Sequence, residues 1–282
     1  MSAAWVCSVT DFTTVTGSNK GIGYAIVRGL CKQFPGDVIL TARSEENGRE
    51  SVKKLNEEGL KPLFHQLDIT DDASVRRMRD FLQMNYGGLD VLVNNAAIAY
   101  KMAAKEPFSK QVEVTMATNF CGTLNVCRVL FPLLRPHARV VHLSSRSGSF
   151  TAARCSKALQ TRFLDPELSM LKIEQLMNEF VESAKADIHK TNGWHDSAYG
   201  TTKIGVTLMT YVQQREFSAD SRPDIVVNSC CPGFVVTDLT SQRGTKTIDE
   251  GADTPLYLAM LPANTTSPKG QFVCEREIKT ML

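Results

Sequence analysis

The stretch Thr16–Gly17–Ser18–Asn19–Lys20–Gly21–Ile22–Gly23 follows a short apolar run, Phe12–Thr16, and opens a segment of helical spacing, Ile22–Phe34. Glycines there remove the Cβ atoms that would keep backbone N–H groups away from a phosphate, and the helix that follows presents its positive end. Position carries the meaning, because the same triplet elsewhere would read as an ordinary turn. Between a strand and a helix it predicts a βαβ unit that cradles a pyrophosphate.

Working outward, short and nearly continuous apolar runs recur at Val38–Arg43, Pro62–Ile69, Leu89–Ala97, Arg139–Ser145, Ile225–Pro232 and Gln271–Cys274. Such runs suit strands buried on both faces. Between them lie helical segments. Ile22–Phe34 stops at Pro35–Gly36, Asp71–Tyr86 follows cap-like residues and stops at Gly87–Gly88, and Asp249–Met260 precedes a proline. The alternation predicts right-handed βαβ units in one doubly wound α/β domain, with seven parallel strands and helices on both faces. Phe12–Thr16 is the weakest strand of the set. Asp165–Lys190 breaks the alternation. Asp165 reads as an N-cap with Pro166 at the first helical position, and Leu168, Leu171, Leu176, Phe180, Ala184 and Ile188 recur at mostly helical spacing. This amphipathic helix is expected to pack on its own domain rather than on a partner.

The end of the second strand bears on the cofactor. An acidic residue there holds a ribose 2′-hydroxyl, whereas an arginine accommodates a 2′-phosphate. Here Val38–Ala42 ends in Arg43, and Lys20 adds a second cation from the glycine turn. Both favour NADP(H), with solvated surface cations beside Glu45 and Glu46 as the competing account. Further on, Tyr199 and Lys203 are spaced i, i+4 and would share a helix face. The ammonium of Lys203 should then lower the pKa of Tyr199 and fit it for proton exchange with a carbonyl oxygen. Alone, such a pair is ordinary surface chemistry. Ser144 and Ser145 end one strand and Asn94 and Asn95 another, at the strand ends where open α/β sheets bind ligands. Asn119 lies in an apolar helical segment, where a packing role is the simpler account.

Composition narrows the function classes. The net charge is +2 with 22% charged residues, and Lys and Arg are scattered, which argues against a nucleic-acid or anionic-membrane partner. No apolar run is long enough to span a bilayer, and Met1–Val9 lacks a secretory pattern. The eight cysteines include no C-x-x-C and read as free thiols, and the five histidines lack metal-ligand spacing, so no metal is expected.

Taken in order, T-G-x-x-x-G-I-G at 16–23, L-D-I at 67–69, N-N-A-A at 94–97, Asn119, the serine strand, Y-x-x-x-K at 199–203 and C-P-G-F-V-x-T-D at 231–238 make the chain similar to the short-chain dehydrogenase/reductase family over nearly its whole length. Within it the chain resembles the NADPH-dependent carbonyl reductase branch. Ser145 and Tyr199 are 54 residues apart, where most members place them much closer. The extra segment, about 150–195, would be a helical insertion on a Rossmann-like fold. Gly193–Trp194 and Cys230–Cys231–Pro232–Gly233 add to the likeness.

The resemblance implies an NADPH-dependent reductase of ketones, aldehydes and quinones. In it Tyr199 gives the proton, Ser145 binds the carbonyl oxygen, Lys203 holds the nicotinamide ribose, and Asn119 supports a relay water. Gly17, Asn19, Lys20, Gly21, Ile22, Gly23, Arg43, Asp68, Ile69, Asn95, Val235 and Thr237 would bind cofactor. Phe234 and Ser147 would edge the substrate pocket, and Tyr100, Lys101 and Gln111 match positions that line a site for glutathione or its conjugates. It further implies a cytosolic monomer. A hydroxysteroid or prostaglandin dehydrogenase, or a catalytically weak NADPH-binding regulator, remain the alternatives. Three features depart from the pattern. The first strand carries Asp11 and two threonines after a long leading segment, Met1–Thr10. Ala97 stands where glycine is usual, and Arg146 follows Ser145 directly. A buried, unpaired Asp11 would be costly unless it stays at the rim.

Overall fold

The computed structural model describes residues 11–101 and 103–282. The expectations for the leading segment Met1–Thr10 lie outside them. The chain runs β1 (Phe12–Val15), α1 (Gly21–Gln33), β2 (Asp37–Ala42), α2 (Glu45–Glu57), β3 (Leu63–Gln66), α3 (Asp72–Asn85) and β4 (Leu89–Asn94). Then come α4 (Phe108–Met116), a π-helical turn at Ala117–Gly122, α5 (Thr123–Leu130) and β5 (Leu134–Leu143). The inserted helices follow as α6 (Arg146–Ala152), α7 (Lys157–Phe163) and α8 (Met170–Lys185). Last are α9 (Ala198–Ser218), β6 (Val226–Cys231), α10 (Ile248–Ala259), β7 (Phe272–Cys274) and β8 (Glu277–Lys279).

The sheet order is β3-β2-β1-β4-β5-β6-β7-β8. The seven expected strands are all parallel. The eighth, β8, was not foreseen and pairs antiparallel with β7 at the edge. Its three residues are all exposed, so its sequence carries no burial pattern from which a strand could be read. Strand order reverses direction between β1 and β4, and a doubly wound sheet opens its ligand crevice at such a point.

Alternate strand residues face opposite layers. Val15, Leu40, Val93, Leu143, Val226 and Cys230 pack with α1 and α10, while Ile39, Leu92, Val140 and Val227 pack with α3 and α5. Side-chain caps fix several helix starts. Ser44, Asp71, Ser169 and Ser197 each accept a backbone N–H from the first turn of the following helix, and Thr247 with Glu250 closes a reciprocal box.

The amphipathic helix begins later than the sequence suggests. Ser169, not Asp165, caps α8, and Asp165 instead accepts the N–H of Glu167 in a preceding turn. The helix packs on its own domain, as expected. Ile173, Leu176, Met177, Phe180 and Ala184 bury against Val112, Met116, Phe120, Ile204 and Leu208. Leu171 and Ile188 fall off that face and are exposed.

The first strand forms despite its polarity. Asp11 sits at its N-terminal rim yet is buried, and its Oδ2 atom has no partner. Neighbouring Asp90 is better served, accepting the Phe12 N–H and an Arg135 guanidinium, both at 2.9 Å. The hydroxyls of Thr13 and Thr14 are also buried without partners.

Candidate active site

The glycine turn enters the left-handed region twice, at Gly17 and Gly21, each with φ of 58°. A Cβ on Gly17 would lie 2.8 Å from the Cβ of Ala96, so only glycine lets the turn close against the end of β4. Asn95 pins the two together, its Nδ2 donating to the carbonyls of Thr16 and Gly17 at 2.9 Å each. Helix α1 starts here with no side-chain cap and no acidic residue in its first turn. Its free N–H groups and dipole are therefore left for an external anion.

This turn is one wall of a cavity of about 310 Å³ at the C-terminal ends of the central strands. Gly17, Lys20, Gly21, Ile22 and Gly23 line it together with Asn95, Ser145, Tyr199, Lys203, Val235 and Thr237. The structure thus brings together the glycine turn, the Ser–Tyr–Lys set, Asn95, Val235 and Thr237 singled out from sequence. The other predicted residues do not line the cavity. Arg43 is exposed at the end of β2, the strand beside the turn. Glu45 is taken by Arg49 at 2.7 Å, so among the described residues Arg43 has no ion pair in competition with a phosphate. Asn19 gives its carbonyl to Ser51, Asp68 accepts from Thr70, and Ile69 is buried. Tyr100, Lys101, Gln111 and Phe234 do not line the cavity, and Phe234 is 51% exposed. Arg146 is exposed and lies over the ring of Phe150, outside the lining.

At the reaction end, α9 carries Tyr199 and Lys203 into the cavity from one face, as their spacing implies. Ser145 lines the same cavity as Tyr199 and caps α6 by accepting the Ser147 N–H at 3.1 Å. Lys203 Nζ lies 5.4 Å from the centre of the Tyr199 ring and donates to the Leu143 carbonyl at 2.6 Å. The expected lowering of the Tyr199 pKa is not found. Burial pushes that phenol well up, and it also pulls the Lys203 ammonium down to about 8. Desolvation opposes the phenolate more strongly than the ammonium favours it, because the ammonium is directed at a backbone carbonyl and is itself desolvated. Tyr199 is accordingly held as a protonated acid.

Asn119 occupies the π-helical turn, an irregularity that commonly marks functional positions. Its side chain accepts from the Ile98 N–H at 2.8 Å and donates both amide hydrogens, to the Ile98 carbonyl and to Thr202. Sequence reasoning missed Asp238, which closes an ion pair with Lys20 at 2.7 Å across the cavity mouth. It is the last residue of the 231–238 motif, so its presence was readable and its partner was not. Ser144, bonded to Thr207 at 2.6 Å, was likewise quoted without a role.

A strand–turn–helix cradle for a pyrophosphate, with a Ser–Tyr–Lys cluster at the far end of one cleft, defines a nicotinamide-nucleotide oxidoreductase. Comparison with known proteins makes the assignment finer. A family model described as short chain dehydrogenase matches residues 12–157. Carbonyl reductase (NADPH) 3 of Rattus norvegicus is 50% identical over 274 residues, covering 97% of this chain and 99% of the relative. Carbonyl reductase (NADPH) 1 of Homo sapiens is 51% identical over 266 residues, covering 94% and 96%. Among solved structures, salutaridine reductase from Papaver somniferum superposes with a TM-score of 0.83 at 28% identity, covering 93% of this chain and 99% of its own. The chain belongs to the short-chain dehydrogenase family.

Proposed function

We propose that the protein reduces small-molecule carbonyl compounds, among them quinones, ketones and aldehydes, to alcohols with NADPH. The observation that carries this reading is the convergence of Ser145, Tyr199 and Lys203 on one cavity with the glycine turn, the half-buried Tyr199 phenol being kept protonated by desolvation. The open glycine cradle fits a pyrophosphate, and Arg43 with Lys20 fits a 2′-phosphate. NADPH supplies the hydride when bound. Ser145 and Tyr199 hold the carbonyl oxygen, and Tyr199 gives it the proton. Lys203 keeps a positive charge behind the phenol and reaches the nicotinamide ribose, while Asn119 braces the segment at Ile98 and supports a relay water. Asp68, Ile69 and Asn95 lie toward the adenosine half, and Val235 with Thr237 toward the nicotinamide amide.

Tyr100, Lys101 and Gln111 would contact the outer part of a long substrate, such as a glutathione conjugate. The protein works as a monomer in the cytosol on this reading, since the inserted helices α6–α8 occupy the outer face of α4 and α9. Size-exclusion chromatography with light scattering tests the monomer.

The main test follows oxidation of NADPH, and of NADH in parallel, at 340 nm with menadione, a hydroxysteroid-class ketone and a prostaglandin ketone. Turnover of menadione with a clear preference for NADPH supports the reading. Turnover confined to one steroid or prostaglandin favours a narrower dehydrogenase. Tight NADPH binding without any turnover contradicts the proposal.

A further inference from the structure

Cys231 and Cys274 are direct partners in the parallel pairing of β6 with β7. Paired residues on neighbouring strands point to the same face about 4.8 Å apart, inside the Cα range a disulfide spans. The two side chains pack together with Phe272 in one small buried cluster. Cys230 points to the opposite face, among residues such as Val141 and Leu143, and cannot reach Cys274. Cys231 Sγ also accepts the Gly233 N–H at 3.4 Å. Cys274 lies one residue before the exposed turn Glu275–Arg276, so a small reagent has a short path to it.

We infer that Cys231 and Cys274 are a redox site that closes to a reversible intrachain disulfide and slows the reductase. The oxidant is a low-molecular-weight disulfide. One cysteine attacks it, its S–S bond breaks, and the first small thiol leaves. The second cysteine then attacks the mixed disulfide, and the second small thiol leaves. The two protein thiols are oxidised by two electrons, the small disulfide is reduced to two thiols, and the two protein protons pass to them. Burial and the neighbouring Cys231 raise the Cys274 thiol to about 11, so closure is slow near neutrality and faster in base. Bridging draws Cys231 off the Gly233 N–H and displaces Pro232 and Gly233, both of which line the cavity.

The effect on rate rests on the proposed role of Tyr199, whereas the bond itself does not, and the test reads the two separately. Full-length protein is treated with 2-hydroxyethyl disulfide, freed of reagent, digested without reduction and mapped by mass. Reduction of 4-nitrobenzaldehyde by NADPH is assayed alongside. We expect a Cys231–Cys274 link, a fall in kcat/KM of about tenfold, and recovery of both with dithiothreitol. Cys274→Ser should match the reduced wild type and resist the reagent, and Cys274→Ala answers the same question should serine impair folding. A Cys230–Cys231 link, a mixed disulfide only, no link at all, or equal inhibition of the Cys274 variants would overturn the inference. A mapped link with unchanged activity would overturn the switch and leave Tyr199 untouched.

Discussion

At the phosphate end of the cleft, the side chain of Lys20 is 69% exposed and meets Asp238 across the mouth. At the reaction end, Lys203 is 3% exposed and its ammonium is held by a backbone carbonyl. Both are lysines lining the same cavity. Water screens the first, so its ion pair is weak and exchangeable. Water is excluded from the second, so burial sets its protonation and that of Tyr199. The buried lysine is thus governed by surroundings that only the fold supplies, whereas the exposed one is governed by solvent.

The largest effect should come from the buried end. Lys203→Met removes the charge behind Tyr199 and leaves the Leu143 carbonyl without its donor. Steady-state assays should show kcat down about a hundredfold or more, and retention of wild-type kcat would break the contrast. At the exposed end, Arg43→Ala should raise the KM for NADPH by about ten- to a hundredfold and leave kcat and the KM for NADH nearly unchanged. The pH profile comes next. The Lys203 pKa is lowered to about 8, so the ammonium is present below that value and lost as pH rises through it. In a profile of kcat/KM, carbonyl reduction should fall about tenfold per unit above that point, and a flat profile to pH 10 would mean that the charge is not used. The smallest effect belongs to the surface pair. Asp238→Asn frees Lys20 and should lower the KM for NADPH by no more than about fivefold, with the gain fading as salt is added.

The same division explains what the sequence disclosed. Strands β2, β4, β5 and β6 were legible because burial on both faces writes a short, nearly continuous apolar run, and the glycine turn because Gly17 has a steric reason that no other residue satisfies. Strand β1 was harder. Its Asp11, Thr13 and Thr14 break the apolar signal, and the structure buries them without full hydrogen bonding. The start of α8 was misplaced because Asp165–Pro166 carries a cap signal of its own, satisfied by a turn to Glu167. The identities of Ser145, Tyr199 and Lys203 could be read from motif and spacing, but the direction of their pKa shifts could not. That direction depends on how completely α9 and the ends of β5 and β6 exclude water, which no local pattern records. The Lys20–Asp238 pair was hidden for a simpler reason, since 218 residues separate its members.

The central claim is that Tyr199, held protonated by burial, gives the proton in an NADPH-dependent carbonyl reduction. Tyr199→Phe keeps the ring, the packing and the position of Lys203 while deleting only the hydroxyl. Single-turnover oxidation of NADPH at 340 nm with menadione, beside NADPH binding measured by fluorescence, tests the claim directly. The account predicts unchanged NADPH affinity and a hydride-transfer rate lower by about a thousandfold. A variant that binds NADPH and reduces menadione at the wild-type rate would contradict it.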